Sequence, residues 1–80
     1  MQVQFFGRLA DLSGARRTDI PDDMQSGADL RNWLSAAQPH LSEILAHSGT
    51  RLVLDNEVVA WDTPLHGAHD IAIIPVVSGG

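Results

Sequence analysis

The sequence predicts an α+β fold, a sheet with one principal helix packed on one face. Three observations carry that prediction. Short segments rich in valine, isoleucine and phenylalanine lie near both ends of the chain, the residue types that fit a pleated, half-buried surface. Between them, Leu30, Trp33, Leu34 and Ala37 recur at i, i+3, i+4 and i+7, one apolar stripe of a helix. Turn residues then divide the chain into the order β-β-α-β-β-β.

The first segment, Val3-Gln4-Phe5-Phe6-Gly7-Arg8, begins with apolar/polar alternation. As a strand it places Val3 and Phe5 on one face and Phe6 on the other. Leu9 to Gly14 reads as a helical turn closed by Gly14. Ala15 to Ile20 is a second strand, hairpin-paired with the first near an edge, and Pro21-Asp22-Asp23 ends it. Ser26 with Asp29 three residues on is a helix start. That helix runs to about Gln38, where Pro39 stops it. Trp33 is expected as a core anchor. Leu41, Ile44 and Leu45 form a shorter stripe ended by Gly49. Arg51 to Leu54 is a third strand, Asp55-Asn56 a turn, and Glu57 to Trp61 a fourth strand. Asp62 to Gly67 is a polar loop, and Asp70 to Ile74 is the last strand.

Composition narrows the function. Eighty residues make one small domain, which buries only about 60% of its unfolded surface and leaves little room for an internal ligand cavity. There is no apolar run near the ~20 residues of a membrane span. Met1-Gln2-Val3-Gln4 lacks the basic and apolar regions of a signal peptide. With no cysteine there is no disulfide framework or thiolate nucleophile, and a cytoplasmic location is expected. The net charge of −5 argues against nucleic acid as a partner and suits a partner with a basic docking face. His66-x-x-His69, with Asp62 and Asp70 nearby, has looser spacing than a structural metal site, so no metal is expected. There is no nucleophile elbow and no phosphate-binding glycine loop.

Nothing inside the chain makes a self-sufficient active site, which turns attention to the stretch from Pro75 to Gly80, Pro-Val-Val-Ser-Gly-Gly. It follows an apolar strand and is read as an extended C-terminal tail on a single domain spanning 1–80. Gly79 and Gly80 carry no side chains, so they fit a channel too narrow for other residues. A terminal carboxylate is ionised at neutral pH, with a pKa near ~3.5, and is a poor electrophile. It needs an activated leaving group, most simply an acyl adenylate made from ATP by a separate enzyme. A sulfur donor can then attack the Gly80 carbonyl to leave a thiocarboxylate. The chain contains neither cysteine nor lysine, and so no thiolate or ε-amine of its own to attack such a group.

From end to end the sequence resembles the ubiquitin-like MoaD/ThiS sulfur-carrier family, and within it the MoaD type, the small subunits of molybdopterin synthase. The resemblance lies in Val3 to Leu9 followed by Leu12-Ser13-Gly14, in Leu30 and Leu34, and in the turn Leu54-Asp55-Asn56-Glu57. It continues in Asp62-Thr63-Pro64-Leu65 and in the closing Pro75 to Gly80. Val76 stands where the family often has a second proline, and Asp55 where it often has asparagine. The resemblance implies a β-grasp fold, a mixed sheet clasping the main helix. It also implies a cycle without a stably bound cofactor. A MoeB-like adenylyltransferase activates Gly80 with ATP, and a sulfur donor enzyme converts it transiently to 1-thioglycine. The tail then enters a MoaE-like large subunit, in a complex of two small and two large subunits, and supplies sulfur for the dithiolene of molybdopterin. Catalytic side chains would belong to the large subunit.

Strand alternation gives the expected docking surface. With Val3, Phe5, Ile71 and Ile73 inward, Phe6 and Ile74 turn outward and Val58 joins them. Pro75, Val76, Val77 and Ser78 are the partner-binding part of the tail. Two other readings stay open: a carrier for thiamin thiazole or another thio-metabolite, and a ubiquitin-like interaction or conjugation module.

Overall fold

The computed structural model describes residues 1–75. Its five strands are β1 (Gln2–Phe5), β2 (Arg17–Asp19), β3 (Thr50–Leu54), β4 (Glu57–Val59) and β5 (Ile71–Pro75). They form one mixed sheet in the order β2-β1-β5-β3-β4. β5 is central, parallel to β1 and antiparallel to β3, while β2 and β4 are edge strands paired antiparallel to their neighbours. Helices α1 (Gly7–Ser13), α2 (Gly27–Ala37) and α3 (Ser42–Ala46) complete the fold, with a 3₁₀ turn at Pro39–Leu41.

The strands form where expected, β1, β2 and β4 with shorter bounds, β3 starting one residue earlier and β5 shifted one residue onward. β1 ends at Phe5 rather than Arg8 because Phe6 becomes the N-cap of α1 and Gly7 turns the chain at φ +55°, a conformation that glycine adopts without steric penalty. The expected turn at Leu9 is therefore a seven-residue helix that starts at Gly7, closes on Gly14 and drops Leu9 into the core. β4 likewise ends at Val59, leaving Trp61 in the following loop.

α2 follows its sequence signals closely. Ser26 caps it by accepting a hydrogen bond from the Asp29 backbone N–H, and the helix ends at Ala37 before Pro39. Leu30 and Leu34 are fully buried. Two members of the expected stripe are corrected: Trp33 is half-buried, packed against the core, and Ala37 is exposed. The stripe is narrower than its spacing suggests because the 3₁₀ turn and α3 follow at once and bring Leu41 and Leu45 into the core.

Val3, Phe5, Leu52, Ile71 and Ile73 of the sheet form one buried cluster with Leu9, Leu30, Leu34, Leu41 and Leu45 of the helical layer. Each such side chain contributes roughly 1.5–3 kcal/mol by leaving water. The loop from β4 to β5 crosses the start of α2. There, Gly27 and Ala28 donate backbone hydrogen bonds to the carbonyls of Thr63 and Trp61, and Leu65 is buried beneath. Gly27 has no room for a side chain, since a Cβ there would lie 2.3 Å from Leu52 Cδ2 and 2.7 Å from the Trp61 carbonyl oxygen. This close approach seats the crossing and returns the chain to the centre of the sheet.

Candidate functional site

The helical layer packs on the Val3/Phe5/Ile73 side of the sheet, and the other side is built by the alternate residues. Cross-strand registers fix its central row. Arg17 pairs with Gln4, Gln4 with Ala72, Ala72 with Val53, and Val53 with Val58. Residues directly opposite across a ladder share a face, so this row crosses all five strands. The next row toward the end of β5 joins Ile74 to Arg51. Phe6 stands beside it, its backbone N–H donating to the Ile73 carbonyl at 3.3 Å.

This face holds Phe6, Val58 and Ile74 of the expected docking residues, whereas Pro75, opposite Thr50, alternates to the helical side. Phe6 is 42% exposed and Val58 63%, while Ile74 and Pro75 are half-buried. Phe6 and Ile74 line a shallow groove of about 210 Å³ together with Gln4, Val53, Asn56, Asp70 and Ala72. The small side chain of Ala72, between longer neighbours on β1 and β3, is what leaves the depression. The structure therefore brings Phe6 and Ile74 together and sets Val58 at the far edge of the row, on β4. Val76, Val77, Ser78, Gly79 and Gly80 lie outside the described residues.

Three contributors escape the sequence reading. Val53 and Ala72 join the face through strand register, which no single segment reveals. Asp55 does more than make a turn. Asp55 and Asn56 both take positive φ, 49° and 68°, the left-handed pair of a tight hairpin turn. The Asp55 carboxylate then accepts the backbone N–H groups of His69 and Asp70 at 2.9 and 2.8 Å, and its own N–H donates to the Asp70 carbonyl. The Asp70 N–H above all, with that of His69 and the nearby imidazole, holds the Asp55 carboxyl below the usual aspartate range, against a smaller opposing effect of burial. Asp55 thus ties the β3–β4 turn to the entrance of β5. Its sequence signal was present, an aspartate in a turn, but its partners fourteen and fifteen residues away were not.

His66 and His69 are both exposed. Among the described residues no group of three or more His, Cys, Asp or Glu side chains is placed to hold a metal ion, and no helix is long and apolar enough to cross a membrane.

The chain was compared with known proteins. A family model described as the ThiS family matches residues 3–80. The molybdopterin synthase sulfur carrier subunit of Escherichia coli is 25% identical over 80 residues, covering 100% of this chain and 99% of that protein. The crystal structure of SAMP1 from Haloferax volcanii superposes with a TM-score of 0.80 at 23% identity, covering 99% of this chain and 97% of that one. A molybdopterin converting factor subunit 1 from Pyrococcus furiosus, described as putative, gives a TM-score of 0.71 at 18% identity, covering 92% and 93%. The two structures establish the fold alone, the expected mixed β-grasp sheet.

Proposed function

The chain belongs to the ThiS family, and from that premise we propose that it is a sulfur carrier, the small subunit of a molybdopterin synthase, whose working group is the carboxyl of Gly80. One observation carries the reading. The strand that leads toward Gly79-Gly80 is β5, the strand held on both sides at the centre of the sheet, in a chain matched by the family from residue 3 to residue 80. A central strand is a rigid mount for a reactive end. The full-length likeness to a molybdopterin synthase sulfur carrier subunit favours the molybdopterin branch over a thiazole carrier.

In this reading the Gly80 carboxylate attacks the α-phosphate of ATP on a MoeB-like adenylyltransferase. Pyrophosphate leaves and an acyl adenylate remains. Sulfide delivered by a sulfur donor enzyme adds to the carbonyl carbon, AMP departs, and Gly80 carries C(=O)–S⁻. In a MoaE-like large subunit the thiocarboxylate sulfur forms a bond to a carbon of the pterin precursor. Water then cleaves the acyl–sulfur bond and returns the carboxylate. The small chain supplies no acid or base to these steps; it supplies the sulfur, its position and the docking surface. Phe6, Val58 and Ile74 provide apolar surface of the kind that marks a partner surface, and Pro75, Val76, Val77 and Ser78 are the partner-binding residues that precede the glycines in the sequence.

The test is intact-mass analysis after incubation with ATP, the adenylating enzyme of the same organism and a sulfur source. An oxygen-for-sulfur mass increase at Gly80 is expected, and deletion of Gly80 removes it without loss of folding. Addition of the large subunit and the cyclic pyranopterin precursor should then discharge the sulfur. A thiocarboxylate that discharges only into thiazole synthesis moves the chain to that branch. An adduct to a lysine of another protein makes it a modifier.

A further inference from the structure

β5 lies between β1 and β3, but its C-terminal end loses one of these supports. The Ile73 carbonyl accepts the Phe6 N–H, so the backbone of Pro75, two residues on, faces the same β1 side. There β1 has already turned away. Phe6 is the N-cap of α1, a position whose carbonyl is taken by the first intrahelical bond, and Pro75 has no N–H to offer. Gly7 turns closely past the proline ring, a Cβ there lying 3.7 Å from Pro75 Cγ. Among the described residues, β5 at its exit is therefore paired with β3 alone, Ile74 opposite Arg51 and Pro75 opposite Thr50.

That remaining flank is pinned by the segment before it. The Thr50 N–H donates to the His47 carbonyl at 3.0 Å, and its hydroxyl donates to the Ile44 carbonyl at 2.6 Å. The Gly49 N–H donates to His47 Nδ1 at 2.9 Å, and Arg51 Nη1 donates to the Ser48 carbonyl at 3.2 Å. Thr50 is 2% exposed, a polar side chain in a core of apolar ones. Valine has the same shape and no polar atom to satisfy there. The Ile44 carbonyl does not depend on the hydroxyl either, since it also accepts the His47 N–H at 3.2 Å. The hydroxyl and the ring thus add a tie between α3 and the start of β3 that core filling does not require.

We propose that Thr50 and His47 are positioning residues for the terminal carboxyl. They fix the one flank that holds Ile74 and Pro75, and so the point from which residues 76–80 start. That this terminus is the working group rests on the sulfur-carrier reading. A carrier docked by its sheet face but started from a loose root holds its carboxyl in the reacting pose for less of the time. The loss falls on kcat for adenylation rather than on KM for the carrier.

The experiment has two arms, both on the full chain. The first is hydrogen exchange at Arg51 and Ile74, with Val53 and Ala72, the next pair of the same ladder but one, as internal reference. Thr50→Val should speed exchange at Arg51 and Ile74 roughly five- to tenfold, the worth of about one hydrogen bond, and leave the reference pair within about twofold. Thr50→Ser keeps the hydroxyl and should restore protection. His47→Ala, at an exposed site, should act in the same direction, with His47→Asn, which keeps an acceptor, restoring it. This second pair carries the test if Thr50→Val does not fold. The other arm is carrier-dependent ATP–pyrophosphate exchange by the adenylating enzyme of the same organism. Thr50→Val should lower kcat about threefold or more with KM for the carrier within about twofold, and Thr50→Ser should recover it. Unchanged exchange at Arg51 and Ile74, or equal quickening at Val53 and Ala72, overturns the proposal. So does a raised KM at unchanged kcat, which makes the loop a docking contact. No pyrophosphate exchange with the unaltered chain removes the carrier reading and this role with it, whereas normal kcat in both the unaltered chain and Thr50→Val removes the role alone.

Discussion

The two faces of β5 carry similar residues to opposite ends. On one face Ile71 and Ile73 are 4% and 0% exposed, sealed under the helical layer with Leu30 and Leu34. On the other, Ala72 lines a groove and Ile74 stands half-buried beside an exposed Phe6. Five consecutive apolar residues, Ile-Ala-Ile-Ile-Pro, make up the strand. Only one side is covered, because every helix of the described chain contributes to one core cluster and none lies over Ala72. The difference teaches how so small a domain divides its apolar residues. One face is used for folding, and the other is available for recognition beside the C-terminal end of β5.

The sharpest way to break this comparison is to truncate neighbouring isoleucines. Ile73→Ala should cost about 2–5 kcal/mol of stability, the usual range for a core isoleucine that leaves a cavity, read as a lower urea midpoint. The folded fraction should still bind the adenylating enzyme. Ile74→Asp should do the opposite, losing most partner affinity while changing stability by no more than about 1 kcal/mol. If Ile73→Ala and Ile74→Asp lower stability equally, the second face is part of the core and the division of labour fails.

Much of this was legible in the sequence, for identifiable reasons. Strand alternation placed Phe6 and Ile74 opposite Phe5 and Ile73, and a period of two needs no tertiary information. Ser26 and Pro39 bounded α2 through local capping chemistry. Trp33 and Ala37 were read too deep, because helical spacing gives the centre of an apolar stripe but not its width. The width was set by Leu41 and Leu45 arriving from the next element. Val53 and Ala72 could not be joined to the site without the register of β3 on β5. The shared face of Arg17 and Arg51 was hidden for the same reason. Arg17 and Arg51 are thirty-four positions apart in the chain and share a face only once β1 and β5 lie between them.

A finer test compares the two ends of β5. The entrance is tied by Asp55 through the N–H groups of His69 and Asp70. At the exit, Pro75 lies opposite Thr50 and has no N–H to donate. Asp55→Ala removes the acceptor and places a Cβ-bearing residue without a compensating side-chain bond at positive φ. It should lower the melting temperature by less than Ile73→Ala does. Hydrogen exchange should quicken at the amides of His69 and Asp70, with Ile73 little changed. Asp55→Asn keeps an acceptor oxygen and tolerates the left-handed backbone, so most of the protection should return. Equal loss of protection along the whole strand would show that Asp55 supports the fold globally rather than tying down one end.

The smallest expected effect is the pH dependence of that same tie. The Asp70 and His69 N–H groups stabilise the charged carboxylate, so Asp55 has a lower pKa folded than unfolded. Below the unfolded value of about 3.9 the unfolded chain then binds more protons than the folded one, and stability rises with pH. The contribution of Asp55 is fully present above that value and is lost as pH falls through the depressed folded pKa. Asp22, held low by its hydrogen bond to the Met1 amino group and by that group's charge, acts with the same sign. Its contribution cancels when two proteins that both retain it are compared. Urea midpoints at about pH 5 and about pH 3 should therefore fall further for the unaltered chain than for Asp55→Asn, whose side chain does not titrate. Equal falls would mean that the carboxylate at the entrance of β5 is no better solvated by its two amides than by water. The strand would then be held there by pairing with its neighbours alone, as it is at its exit.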